Sequence, residues 1–131
     1  ASPNTFAGSP LDRAGDLRND PDWLAEQEAN RQARALVLWE GRPLLGDDGA
    51  LAWLALAHAR DIAPDRDLFL GLDGEAPVFA VEIEGSADPA QGPLKGMGGF
   101  SDLRGAAAVL PGGEAAMAGG AKSLFDWRRR H

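Results

Sequence analysis

Residues 35–45 read Ala35-Leu36-Val37-Leu38-Trp39-Glu40-Gly41-Arg42-Pro43-Leu44-Leu45, and this stretch decides the fold. Ala35–Trp39 is a short unbroken apolar run closed by a turn signal, which reads as a strand. Glu40-Gly41 supplies the turn, and Arg42–Leu45 is the return strand of a hairpin. Upstream, Asp20-Pro21-Asp22 marks a helix start. Asp20 can cap, Pro21 suits the first helical position, and Asp22 and Glu26 favour the positive end of the helix dipole. That helix is expected from Pro21 to about Asn30, resting on the sheet through Trp23 and Leu24. Residues 1–19, punctuated by Pro3, Gly8, Pro10 and Gly15, read as an N-terminal arm. The remainder, 20–131, reads as one domain.

Downstream, Gly46-Asp47-Asp48-Gly49 is a second turn. The run Leu51–Ala59 carries two signals. Its alanines favour helix, whereas Leu51, Trp53 and Ala55 alternate with Ala52, Leu54 and Leu56, and the alternation predicts a strand over Leu51–Leu56. Leu68–Leu72 and Pro77–Ile83 form strands about an Asp73-Gly74 hairpin, with Pro77 at the strand start, where a missing N–H is tolerated. Residues 85–99, rich in Gly and Pro, are a linker loop. Ser101 or Asp102 caps a short helix through Ala108, and Pro111-Gly112-Gly113 breaks it. A C-terminal helix then spans 114–130, with Met117, Ala121, Leu124 and Phe125 on one face. The fold class is α+β: a central mixed or antiparallel sheet flanked by helices, with Leu38, Trp39, Leu70, Phe79 and Val81 in the core.

The 131 residues are 44% hydrophobic and 25% charged, ordinary values for a folded domain. No apolar run approaches the ~20 residues of a membrane span, and no signal peptide opens the chain. The absence of cysteine excludes disulfides, thiolate metal sites and a Cys nucleophile, and it fits a cytoplasmic setting. A net charge of −7 argues against direct grip on a nucleic-acid backbone, which depends on Lys and Arg.

Chemistry-bearing residues are sparse. His58 and His131 stand far apart, without Cys or other His near them to complete a ligand set. Glu82 and Glu84 share a strand face, so they can act as paired carboxylates in acid–base or Mg²⁺ chemistry; the simpler expectation is a solvated face opposite Val81 and Ile83. Asp47-Asp48 is turn chemistry. Gly96-Met97-Gly98-Gly99-Phe100-Ser101 lacks the third glycine and the preceding strand of a dinucleotide-binding loop. Lys95 and Lys122 follow no phosphate-binding loop, and no Gly-x-Ser-x-Gly elbow exists. Arg128-Arg129-Arg130 complements the dipole at the helix end. On the residues themselves there is no catalytic, cofactor-binding or metal-binding site.

The arrangement of several segments is more specific. Leu11-Asp12-Arg13, Asp20–Leu24 and Gly41–Leu45 are followed by Phe100-Ser101-Asp102-Leu103-Arg104 and finally by Leu124-Phe125-Asp126-Trp127-Arg128-Arg129-Arg130-His131. Over nearly its whole length the chain resembles the N-terminal, Nudix-like domain of bacterial NADH pyrophosphatases. It departs from that pattern at Gly119-Gly120, and at Arg128, where His is common. The resemblance implies a degenerate Nudix-like fold that leads, after His131, into a zinc ribbon and a catalytic Nudix domain. It implies a parent enzyme, a homodimer using Mg²⁺ or Mn²⁺ with a structural Zn²⁺, that hydrolyses the diphosphate of NADH, NAD⁺ or NAD-capped RNA. The family's metal-holding glutamates belong to a Nudix box that places its first Glu six residues after a Gly and contains an Arg-Glu pair. None of Glu26, Glu28, Glu40, Glu75, Glu82, Glu84 and Glu114 has Gly at that distance, and no Arg-Glu occurs. The resemblance therefore implies a non-catalytic domain that packs beside the catalytic one; Trp127 then faces that seam in part, the alternative being ordinary core on its own sheet. The alternative is a stand-alone small-ligand or protein-interaction module with residues 85–99 as a lid.

Overall fold

The computed structural model describes residues 15–64 and 66–130; most of the N-terminal arm and His131 lie outside them. A 3₁₀ turn over Gly15–Asn19 leads into helix α1 (Pro21–Glu28). The Asp20 carboxylate accepts from the amides of Asp22 (2.9 Å) and Trp23 (3.4 Å), so the cap forms as the sequence indicates. The helix stops short of Asn30, whose side chain instead accepts from the Gln32 amide and reaches the Glu75 carbonyl.

Strands β1 (Arg34–Trp39) and β2 (Arg42–Leu45) form the expected hairpin, with Trp39 opposite Arg42. Both turn residues, Glu40 (φ 51°) and Gly41 (φ 75°), are left-handed, as a two-residue turn matched to the strand twist requires. Strands β4 (Asp67–Asp73) and β5 (Ala76–Ile83) form the second hairpin. β5 also lies parallel to β1, pairing Arg34 with Val78 through to Trp39 with Ile83. The short strand β6 (Gly99–Phe100) pairs with β2, giving the order β4-β5-β1-β2-β6. The sheet is thus mixed and the fold is α+β.

Helices cover both faces of this sheet, which is why β1 is apolar at every position after Arg34 rather than at alternate ones. On one face Ala35, Val37 and Trp39 of β1 and Phe79 and Val81 of β5 join Leu56 and Ala59 of helix α2 (Leu56–Ile62). Trp23 of α1 reaches this face through an edge contact with Phe69, 5.5 Å between ring centroids. On the other face Leu36, Leu38, Val78 and Ala80 pack against helices α3 (Leu103–Val109) and α4 (Gly112–Arg130) through Ala106, Leu110, Ala118, Ala121 and Phe125. Leu38, Trp39, Leu70, Phe79 and Val81 are all buried, as expected.

Three expectations change. Only Leu54–Ala55 of the Leu51–Leu56 segment forms a strand, β3, paired with the start of β1; Leu51 makes a single bridge to Leu45. From Leu56 onward the alanines prevail, because a helix there buries Leu56 and Ala59 together at i, i+3. The C-terminal helix starts at Gly112, and its buried stripe is Ala118, Ala121 and Phe125, whereas Leu124 is 41% exposed. A 100° step separates Leu124 from Phe125, enough to carry it off the sheet. Residues 85–99 contain a 3₁₀ turn at Pro89–Gln91, capped by Asp88, and a fully buried Leu94, and the segment ends inside β6.

Gly98 (φ +138°) passes so close to β2 that a Cβ there would overlap the Leu45 carbonyl oxygen. Gly98→Ala should destabilise the domain by about 1–3 kcal/mol through backbone strain, read as a lower denaturant midpoint.

Candidate functional site

Alternation along β5 sends Val78, Ala80 and Glu82 to the face covered by α3 and α4. Glu82 is therefore not on a solvated face. It is 3% exposed, the one buried charged residue among those described. A carboxylate in that position is tolerable only with opposite charge at hydrogen-bonding distance. Arg129, on the last turn of α4, donates to Glu82 Oε2 at 2.8 Å, and Arg66, just before β4, lies 3.5 Å from Oε1. Arg66 also holds Glu84, donating Nε–H to Oε1 at 2.9 Å and pairing closely with Oε2.

The network continues outward. Arg129 pairs with Asp126 at 2.8 Å, and Asp126 pairs with Lys122 at 2.7 Å. Read in order, Glu84, Arg66, Glu82, Arg129, Asp126 and Lys122 alternate in sign and sum to zero. The hydrogen bond from Lys122, with that from Arg129, holds the Asp126 carboxyl below its ordinary range. The hydrogen bonds to Asp126 and then Glu82 hold the Arg129 guanidinium further toward its charged form. Arg128 adds a contact to the Asp67 carbonyl at 3.4 Å. The basic end of α4 thus does more than complement the dipole: Arg129 compensates a charge inside the domain.

Asp126 sets a pH dependence. Its folded-state value is depressed, so its contribution is present above the unfolded carboxyl value near 3.9 and is lost as pH falls through the folded value. Asp126→Asn should cost at most about 1 kcal/mol at neutral pH, since the pair is largely solvated. The difference from the parent chain should disappear in acid, which denaturation midpoints across pH will show.

The other candidates do not converge on a site. His58 is exposed on α2. Asp48 accepts from the Ala50 amide at 3.1 Å, which is turn chemistry. Lys95 is exposed in the loop. The glycine segment 96–101 is sheet-paired at Gly99 and Phe100, which lie opposite Leu45 and Leu44, and the Ser101 amide donates to the Pro43 carbonyl. Asp102 uses its carboxylate to cap α3, accepting from the Gly105 amide at 2.7 Å. Among the described residues no three His, Cys, Asp or Glu side chains come together as a metal group, and no helix is long and apolar enough to cross a membrane.

Arg66 was not legible as a functional residue. The Asp73-Gly74 hairpin is visible in sequence, and an unbroken register from Asp73 opposite Ala76 would set Asp67 against Glu82. A bulge between Phe69 and Gly71 shifts the pairing by one, so that Arg66 meets Glu82, whose amide donates to the Arg66 carbonyl.

The geometry is thus that of a mixed sheet between two helical layers, whose only buried carboxylate among the described residues is neutralised by arginine. The family model of the NADH pyrophosphatase-like rudimentary NUDIX domain matches residues 32–127, and the chain belongs to that family. It is 34% identical over 122 residues to the NAD-capped RNA hydrolase NudC of Deinococcus radiodurans. That alignment covers 93% of this chain but 38% of the relative, so the chain spans well under half of the curated protein it matches.

Proposed function

We propose that this chain is the non-catalytic N-terminal domain of a longer Nudix hydrolase that cleaves the diphosphate of NADH, NAD⁺ or NAD-capped RNA, releasing AMP and nicotinamide mononucleotide from the free dinucleotides. The observation that carries the reading is the state of Glu82. In a metal-dependent diphosphatase a carboxylate in a folded core would present its oxygens to a divalent cation. Here both oxygens face guanidinium groups, and Glu84 is engaged by Arg66 as well. Held in this way, Glu82 and Glu84 do not fit a Mg²⁺ or Mn²⁺ site, no other metal group forms among the described residues, and a sequence without cysteine does not fit a zinc ribbon. Catalysis, Mg²⁺ or Mn²⁺ and structural Zn²⁺ are accordingly assigned to other parts of the parent protein, which is read as a cytoplasmic homodimer.

The role left to this domain is architectural. It supports the zinc ribbon and catalytic domain, and it binds no nucleic acid by its own charge. The geometry of residues 85–99, with Leu94 buried and Gly99-Phe100 paired to β2, lends no support to a lid over a small ligand. Reading the gene past the codon for His131 tests the proposal. A Cys-x-x-Cys followed by a Nudix box is expected; a stop codon or an unrelated domain overturns it.

A further inference from the structure

Helix α4 has two faces of different character. Ala118, Ala121 and Phe125 are buried on the sheet. Ala116, Gly120, Ser123, Leu124 and Trp127 are exposed on the other side, at i, i+4, i+7, i+8 and i+11, the spacing of one helical face. None is charged, in a chain whose residues are 25% charged. The face begins with small residues and ends with two large apolar ones, Leu124 at 41% and Trp127 at 61% exposure. Gly119 and Gly120 meet nothing within 4 Å of a would-be Cβ, so packing within this domain does not require them. Surface helices with a solvated outer face ordinarily carry charge there.

The exposure of Trp127 is not fraying of a helix end. The turn that bears it is fixed to the sheet by Arg129 on the buried Glu82 and by Arg128 on the Asp67 carbonyl. An ion pair that holds one side of the turn inward holds the indole outward. Leu124 and Trp127, three residues apart on that face, put two large apolar side chains side by side in solvent, a pairing that a partner would cover.

We propose that the occupant of this face is the segment that follows His131 in the longer protein, an inference that rests on the proposed function. The matched relative extends far beyond the region this chain covers. The described chain leaves the domain at Arg130, less than one helical turn past Trp127, so the next residues begin beside the face. The N-terminal helix α1 lies over the opposite face of the sheet, through Trp23 and Phe69. A second copy is disfavoured by the net charge of −7, which sets copies against one another.

Hydroxyl-radical footprinting with peptide-level mass spectrometry tests this on two proteins, the 131-residue chain and the product of the complete reading frame. Trp127 and Leu124 should label strongly in the 131-residue chain and several-fold less in the longer product. Trp39 should label weakly in both and so report folding. Equal labelling of Trp127 in the two proteins overturns the inference. So does protection already present in the 131-residue chain, whether independent of concentration, which would assign the face to residues 1–14, or rising with concentration, which would assign it to a second copy. Hydrolysis of NADH, NAD⁺ and NAD-capped RNA by the longer product is measured alongside. Activity without protection refutes the docking face alone, protection without activity refutes the proposed function alone, and a reading frame ending at His131 refutes both.

Discussion

Trp39→Ala should lower the stability of the domain by about 3–5 kcal/mol, the range for truncating a large buried aromatic. Trp39 closes β1 beneath the 85–99 segment. Its indole N–H donates to the Gly85 carbonyl at 2.9 Å, its ring lies 5.5 Å from that of Phe100, and Arg42 stands over it at 5.7 Å. Alanine would leave a cavity on the α2 side of the sheet, an unmet carbonyl at Gly85 and a loosened contact to β6. Chemical denaturation reads the loss directly; a midpoint shift equivalent to under about 1 kcal/mol would show that Trp39 is not a core residue.

The paired replacement Arg66→Ala with Arg129→Ala should cost a comparable amount, about 3–5 kcal/mol, because it leaves Glu82 as an uncompensated charge within the sheet–helix interface. Either single change should cost much less, since the remaining arginine still faces the carboxylate. The diagnostic comparison adds Glu82→Gln to the double variant. If charge burial dominates, the triple variant recovers a substantial part of the loss, and the cycle of midpoints shows strong coupling. If the triple variant is no more stable than the double, the arginines act through the packing of their stems and the electrostatic account of Glu82 fails.

Much of the fold was legible because local signals agreed with tertiary demands. The Asp20 cap, the Glu40-Gly41 turn and the Asp73-Gly74 turn each place a residue where its backbone preference suits the structure. The core residues of β1 and β5 could be named from apolar content alone. The segment from Leu51 to Ala59 was not legible, because alternation and alanine content point to different structures. Its switch from strand to helix at Leu56 is decided by which face of the sheet it covers. Glu82 was misread for a related reason. Alternation assigns it a face but does not say what covers that face, and the covering helix and its Arg129 lie 47 residues away. The bulge that brings Arg66 into register leaves no clear trace in the sequence. Family membership could be read from Phe100–Arg104 and the end of α4, since those segments are specific as a pair in a way that no single carboxylate is.

The proposed function leaves this Nudix-like domain without diphosphatase chemistry of its own. The most direct measurement is diphosphate cleavage by the purified chain in Mg²⁺ or Mn²⁺, read as AMP release from NADH and, separately, as nicotinamide mononucleotide release from NAD-capped RNA. The account predicts no release above the no-protein control, because Glu82 and Glu84 are held by arginines and no Nudix box is present. Metal-dependent release of either product that follows the chain through successive columns, and that falls when Glu82 is replaced by Gln, would contradict it.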